Sequence, residues 1–113
     1  MLDQSPVAPV RTRTSLADFP VNMEQVYRAH ELIRASLPDT PTVSHPLLSE
    51  RMGCETFVKL ENTHSIGSFK IRGGLFLLAN MAESDRRRGL VTATRGNHGQ
   101  SIARAAGLYN ARC

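Results

Sequence analysis

Residues 61–74 read ENTHSIGSFKIRGG, a polar, glycine-rich stretch between a short β-rich run and an apolar helix. The preceding run, ETFVKLE at 55–61, favours a strand because β-forming residues are bounded there by turn residues. After Gly67, Ser68 is a candidate helix N-cap. Apolar residues then recur at helical steps through FKIRGGLFLLANM, at Ile71, Leu75, Leu78 and Met81. The stretch therefore predicts a strand, a loop and a helix in succession.

The same order repeats towards the C-terminus. LVTAT at 90–94 predicts a second strand, RGNHG a loop, QSIARAAGLYN a helix, and NARC the start of a third strand. Strands and helices that alternate through short loops imply parallel strands joined by right-handed crossovers. The predicted fold class is therefore α/β, part of an open, doubly wound and mostly parallel sheet. Both loops follow the carboxyl ends of strands, where such sheets bind ligands.

The N-terminal third shows no such alternation. Residues 1–20 contain prolines among Ser, Thr and Arg, which predicts a flexible arm that orders only by docking. From 21 to 113 we predict one region. It opens with a helix from Asn22 that carries an apolar stripe with His30 packed on it, followed by a proline-interrupted loop at 38–48.

Composition narrows the function classes. The net charge is +4, with twelve arginines and two lysines, and the run at 86–88 is most simply a solvated connection. Aromatic residues are only 5% of the chain, which argues against nucleic-acid binding. Cys54 and Cys113 form no metal-ligand spacing and suit a reducing compartment. The chain has no apolar leader or membrane-spanning stretch, so we expect a cytoplasmic protein with neither metal nor membrane partners.

Lys70 is placed for chemistry. Two residues after a helix N-cap, its amine is surrounded by unpaired amides and the positive end of the helix dipole, which favour the neutral form. A neutral lysine is a nucleophile that forms imines with aldehydes. A lysine in a first helical turn is more often simply solvated, so the second loop decides the interpretation.

That second loop combines backbone donors with polar side chains. Its backbone N–H groups are free to point at an anion, and Asn97 offers a side-chain amide to an oxygen. His98 is either a general base or a residue that caps the loop. The loop lacks the GxGxxG and GxxxxGK[ST] patterns of nucleotide sites. Its residues are Thr94, Arg95, Gly96, Asn97, His98, Gly99 and Gln100.

KLENTHSIGSFKIRGG followed by TATRGNHGQSIA resembles the serine/threonine dehydratase group of pyridoxal-phosphate enzymes of fold type II. Members of that group share a KxEN…GSFKxRGA segment and a [ST]xGNHGQ segment at about this separation. The resemblance extends from about Thr40 to Tyr109. It implies that Lys70 forms the imine with pyridoxal phosphate and moves the substrate's protons, with Phe69 beside the cofactor and Asn97 on its 3′-oxygen. The implied ligands of the amino-acid carboxylate are Thr94, Gly96 and His98.

The implied reaction is loss of the α-proton and the β-hydroxyl from threonine or serine, then hydrolysis to a 2-oxo acid and ammonia. Arg95 stands where many relatives have a serine that contacts substrate and is the second base of racemases. Its guanidinium either pairs with a substrate carboxylate or lies outside the pocket as a surface charge. His64 and Gly74 replace a common Gln and Ala.

Relatives continue into a second α/β domain that binds the cofactor's phosphate. We therefore expect a truncated N-terminal portion with little dehydratase activity, from a protein that is a homo-oligomer at full length. Three alternatives remain open: another fold type II enzyme, such as a hydroxy amino acid lyase or serine racemase; a non-catalytic remnant that binds a partner; and, least favoured, a basic nucleic-acid module.

Overall fold

The computed structural model of the protein describes residues 20–113. The arm predicted for residues 1–20 lies outside this part except for Pro20. The elements are α1 (Met23–Arg34), β1 (Thr42–Ser44), α2 (Pro46–Met52), β2 (Phe57–Lys59), a 3₁₀ turn (Glu61–Thr63), α3 (Lys70–Asn80), α4 (Glu83–Arg88) and α5 (Asn97–Leu108).

Helix α1 starts where the sequence predicts a helix, and a capping box forms its N-terminus. The Asn22 side chain accepts from the Gln25 backbone N–H, and the Gln25 side chain accepts from that of Asn22, both at 2.9 Å. Ile33 is buried, but His30 is exposed, so the prediction that His30 packs inside was wrong. The physical reason is an open groove of about 440 Å³ between α1 and α3, which leaves most of the apolar stripe uncovered.

The two strands form a small antiparallel sheet, with α2 in the connection between them. Val43 pairs with Val58, flanked by Thr42 with Lys59 and Ser44 with Phe57. The strand predicted in ETFVKLE is present at Phe57–Lys59, whereas 42–44 was predicted as loop and is its partner. All six paired residues are exposed, so backbone hydrogen bonds rather than a buried face define this ribbon.

The segments predicted as parallel strands at 90–94 and 110–113 are not strands in the structure. They lie side by side, and the Leu90 N–H donates to the Arg112 carbonyl at 2.8 Å. Val91 is fully exposed. Parallel strands are stable when both faces of their sheet are covered, and no described element covers this segment.

The core lies where α3 packs on α5. Its buried residues are Ile71, Leu75, Leu78, Ile102 and Ala105. Gly74 permits the contact, because a Cβ at that position would lie 2.7 Å from the Ser101 backbone oxygen. The fully buried Ser101 hydroxyl donates to the Lys70 carbonyl at 2.5 Å. This contact fixes the first turn of α3, which carries Lys70, against the first turns of α5.

Candidate active site

Lys70 begins α3 with its amine in solvent. The N-cap residue of α3 is Phe69 and not Ser68 as predicted, and its side chain makes no capping hydrogen bond. The Ser68 hydroxyl still accepts from the Lys70 backbone N–H, at 3.3 Å. The amine lies 5.5 Å from the centre of the Phe69 ring, within cation–π range. The other lysine is engaged, because the Lys59 amine donates to the Thr40 carbonyl at 3.2 Å.

The 94–99 loop is closed by one hydroxyl. Thr94 Oγ1 accepts from the backbone N–H groups of Gly96 and Gly99, each at 2.9 Å. Gly96 has a φ of +144°, a conformation that favours glycine, and a Cβ on Gly99 would lie 2.5 Å from Thr94 Cγ2. The two glycines therefore let the chain wrap tightly around Thr94 and enter α5.

Lys70 and this loop line a single open cavity of about 410 Å³, together with Ala93, Thr94, Arg95, Gly96, Asn97 and His98. The backbone N–H groups of Asn97 and His98 lie in the first turn of α5 and have no acceptor among the described residues. Phe69 lines a neighbouring cavity of about 390 Å³ that shares Lys70 and His98 with the first. Every site residue named from the sequence is thus gathered around Lys70, while their roles stay predictions.

Glu61, Arg72 and Thr40 form a hydrogen-bonded cluster that the sequence analysis did not predict. Glu61 accepts from Arg72 Nε at 2.6 Å, from Arg72 Nη2 at 2.8 Å and from the Thr40 hydroxyl at 2.6 Å. The Arg72 hydrogen bonds are the main reason that the pKa of Glu61 is lowered to about 2, against a smaller opposing effect of burial. The pair ties the 3₁₀ turn to the first turn of α3 and so closes the loop that carries Lys70.

His64 is buried beside this cluster. Its Nε2 lies 3.2 Å from Glu61 Oε2, yet neither ring nitrogen has a hydrogen-bond partner in the described part of the chain. The side chain is only 1% exposed. Both Glu61 and Arg72 fall inside the quoted motif, but nothing in their spacing indicates that they pair.

Residues 20–113 contain no group of three or more His, Cys, Asp or Glu side chains that could hold a metal ion. In the same residues, no helix has the length and apolar character needed to cross a membrane.

Comparison with known proteins decides the family. Residues 33–113 match the family described as pyridoxal-phosphate dependent enzyme. The chain belongs to this family. L-threonine ammonia-lyase of Thermotoga maritima is 36% identical over 89 residues, which are 79% of this chain. The family and this relative confirm the resemblance to serine/threonine dehydratases, and the cofactor of the family is pyridoxal phosphate.

Solved structures agree with this membership. Serine racemase from Dictyostelium discoideum superposes with a TM-score of 0.75 at 31% identity and covers 82% of this chain. The processed form of threonine deaminase isoform 2 from Solanum lycopersicum gives a TM-score of 0.61 at 27% identity over 80% of this chain. The predicted fold class, part of an α/β fold type II enzyme, is confirmed.

The chain spans only part of the length of these proteins. It covers 22% of the Thermotoga maritima ammonia-lyase and 30% of the racemase chain. The activities in their names are therefore properties of much longer polypeptides.

Proposed function

We propose that the chain carries the cofactor-holding lysine and the substrate loop of a pyridoxal-phosphate dependent ammonia-lyase, a threonine or serine dehydratase. The observation that carries the proposal is the single cavity lined by Lys70 and the 94–98 loop. The lysine and the residues that carry free backbone N–H donors line one space there. Such a space suits a small amino acid joined to an aldehyde cofactor.

The residues present fit pyridoxal phosphate. Lys70 has a solvent-facing amine at the cavity, whereas the Lys59 amine is held by the Thr40 carbonyl. Asn97 lines the same cavity and would hold the ring's 3′-oxygen, while Phe69 would pack beside it. When bound, pyridoxal phosphate supplies an electron sink for the negative charge that develops at the substrate's α-carbon.

The chain's own groups would then handle the substrate. Lys70 Nζ would take the α-proton, because it faces the space in front of the loop. The resemblance implied that Thr94, Gly96 and His98 bind the α-carboxylate, but the Gly96 N–H donates to Thr94 Oγ1. The free backbone N–H groups of Asn97 and His98 would therefore bind the two carboxylate oxygens. Loss of the β-hydroxyl as water, followed by hydrolysis of the resulting enamine, would give a 2-oxo acid and ammonia, so one water leaves and one is consumed.

Arg95 favours a lyase over a racemase. The resemblance places the second base of racemases at position 95, and a guanidinium stays protonated in proteins. A protonated group cannot remove a proton from the opposite face of the substrate. The structural similarity to a serine racemase is therefore not matched by the groups in this cavity.

Two further parts belong to this proposal. The exposed free thiols of Cys54 and Cys113 suit the cytoplasm, because they would oxidise readily elsewhere.

The exposed 90–94 segment and open site favour a complete enzyme that includes more polypeptide, assembled as a homo-oligomer. We accordingly expect little or no release of 2-oxo acid by the 113-residue chain.

The proposal is tested by exchange of the substrate's α-proton, the one step for which the described residues supply both base and carboxylate ligands. The chain, with pyridoxal phosphate and L-threonine in deuterium oxide, should exchange that proton several-fold faster than the cofactor alone, followed by NMR. The Lys70→Arg variant should fall to the rate of the cofactor alone, and Lys59→Arg should not. Equal rates with and without the unsubstituted chain would contradict the proposal.

A further inference from the structure

The cavity holds more positive charge than one carboxylate requires. Its described lining includes two cationic residues, Lys70 and Arg95, and the two residues whose backbone N–H groups are free, and it includes no acidic residue. Arg95 is exposed and makes no ion pair with any residue from 20 to 113. A cationic cavity of this kind attracts an anionic ligand and concentrates it at the site.

The donors divide into two sets. A carboxylate has two oxygens, and the backbone N–H groups of Asn97 and His98 can satisfy both. Thr94 Oγ1 already accepts two N–H bonds from the loop and stabilises its shape. That leaves the guanidinium, whose planar fork of donors matches a carboxylate bidentately.

We propose that Arg95 binds a second carboxylate, on the carbon that bears the substrate's hydroxyl. The inference rests on the proposed function and narrows its substrate class to β-hydroxy dicarboxylic amino acids, ahead of threonine and serine. The α-carboxylate takes the amides of α5 and the α-carbon faces Lys70, so the guanidinium is available to the β-substituent. Arg95 is thus a specificity-determining residue.

The test uses two ligands that lack an amine and so cannot react with aldehydes. Malate and 3-hydroxybutyrate share a hydroxyl and one carboxylate, and differ in that malate has a second carboxylate where 3-hydroxybutyrate has a methyl group. Each is titrated against reductive methylation of the 113-residue chain by formaldehyde. Modification of Lys70 is measured by peptide mass spectrometry, with Lys59 as the reference in the same sample.

Malate should protect Lys70 at about tenfold lower concentration than 3-hydroxybutyrate does, the effect of one bidentate charge-assisted pair. The Arg95→Gln variant should lose this preference. The matched variant Arg104→Gln, which removes an exposed arginine from α5 outside the cavity, should keep it. Lys59 should react equally in every sample.

The proposal is overturned if the two ligands protect equally, or if Arg95→Gln keeps the preference for malate. It is also overturned if Arg95→Gln weakens protection by inorganic phosphate while protection by malate is unchanged. None of these results requires the cofactor. If the chain exchanges the α-proton of threonine but shows no preference for malate, the proposed function stands and only the role of Arg95 is contradicted.

Discussion

Replacing Gly74 with alanine should destabilise the protein by about 3 kcal/mol, the upper part of the range for overpacked cores. The added Cβ would lie 2.7 Å from the Ser101 backbone oxygen, closer than carbon and oxygen can approach. A flexible side chain could rotate away, but a helix backbone has to move as a whole. Helix α5 would shift away from α3, and the hydrogen bond from Ser101 to the Lys70 carbonyl would lengthen or break.

The neighbouring glycine is the matched control. A Cβ on Gly73 would meet nothing within 4 Å, so Gly73→Ala should stabilise the helix by about 0.5–1 kcal/mol. Urea denaturation followed by circular dichroism measures both variants. Equal stabilities for Gly74→Ala and Gly73→Ala would show that α3 and α5 do not pack as described.

The Glu61→Gln substitution should lower the free energy of unfolding by about 2 kcal/mol near neutral pH. Removal of the charge leaves the Arg72 guanidinium without its carboxylate, and breaking a largely buried pair costs more than breaking an exposed one. The Glu61 side chain is only 18% exposed. Glu83→Gln is the control, because its pair with Arg87 is exposed and should contribute less than about 0.5 kcal/mol.

The effect of Glu61 should also depend on pH. Its pKa is lowered from 4.5 to about 2 in the folded chain, so folding favours the charged form. The carboxylate therefore contributes its full stabilisation above pH 4.5, and this contribution is lost as the pH falls towards 2. The difference in urea midpoint between the unsubstituted chain and Glu61→Gln should shrink over that interval. A difference that stays constant would mean that the carboxylate does not carry this energy.

The main helices could be predicted from the sequence because their signals are local. The capping box of Asn22 with Gln25 and the apolar steps from Ile71 to Leu78 lie within a few residues of one another. The strands depended on partners instead. Residues 42–44 pair with residues 57–59 on the other side of α2, and residues 90–94 lack the covered sheet that would make them a strand.

The site divides in the same way. The prediction that Lys70 and the 94–98 loop meet came from the rule for loops at the carboxyl ends of parallel strands and from the resemblance to a known family. The predicted parallel strands are not present among the described residues, and the packing of α3 on α5 brings the two loops together instead. The contacts that hold them in place could not be predicted. Ser101 reaches a carbonyl 31 residues away and Arg72 reaches a carboxylate 11 residues away, pairings that no periodicity or capping rule encodes.

The most direct test of the central claim is to incubate the chain with pyridoxal phosphate, reduce it with borohydride, digest it and locate the pyridoxyl group by mass spectrometry. Lys70, whose amine faces the cavity, should be labelled well above the N-terminal amine and above Lys59, which the Thr40 carbonyl engages. Equal labelling of the three amines, or no label at Lys70, would contradict the assignment of this loop as the cofactor site.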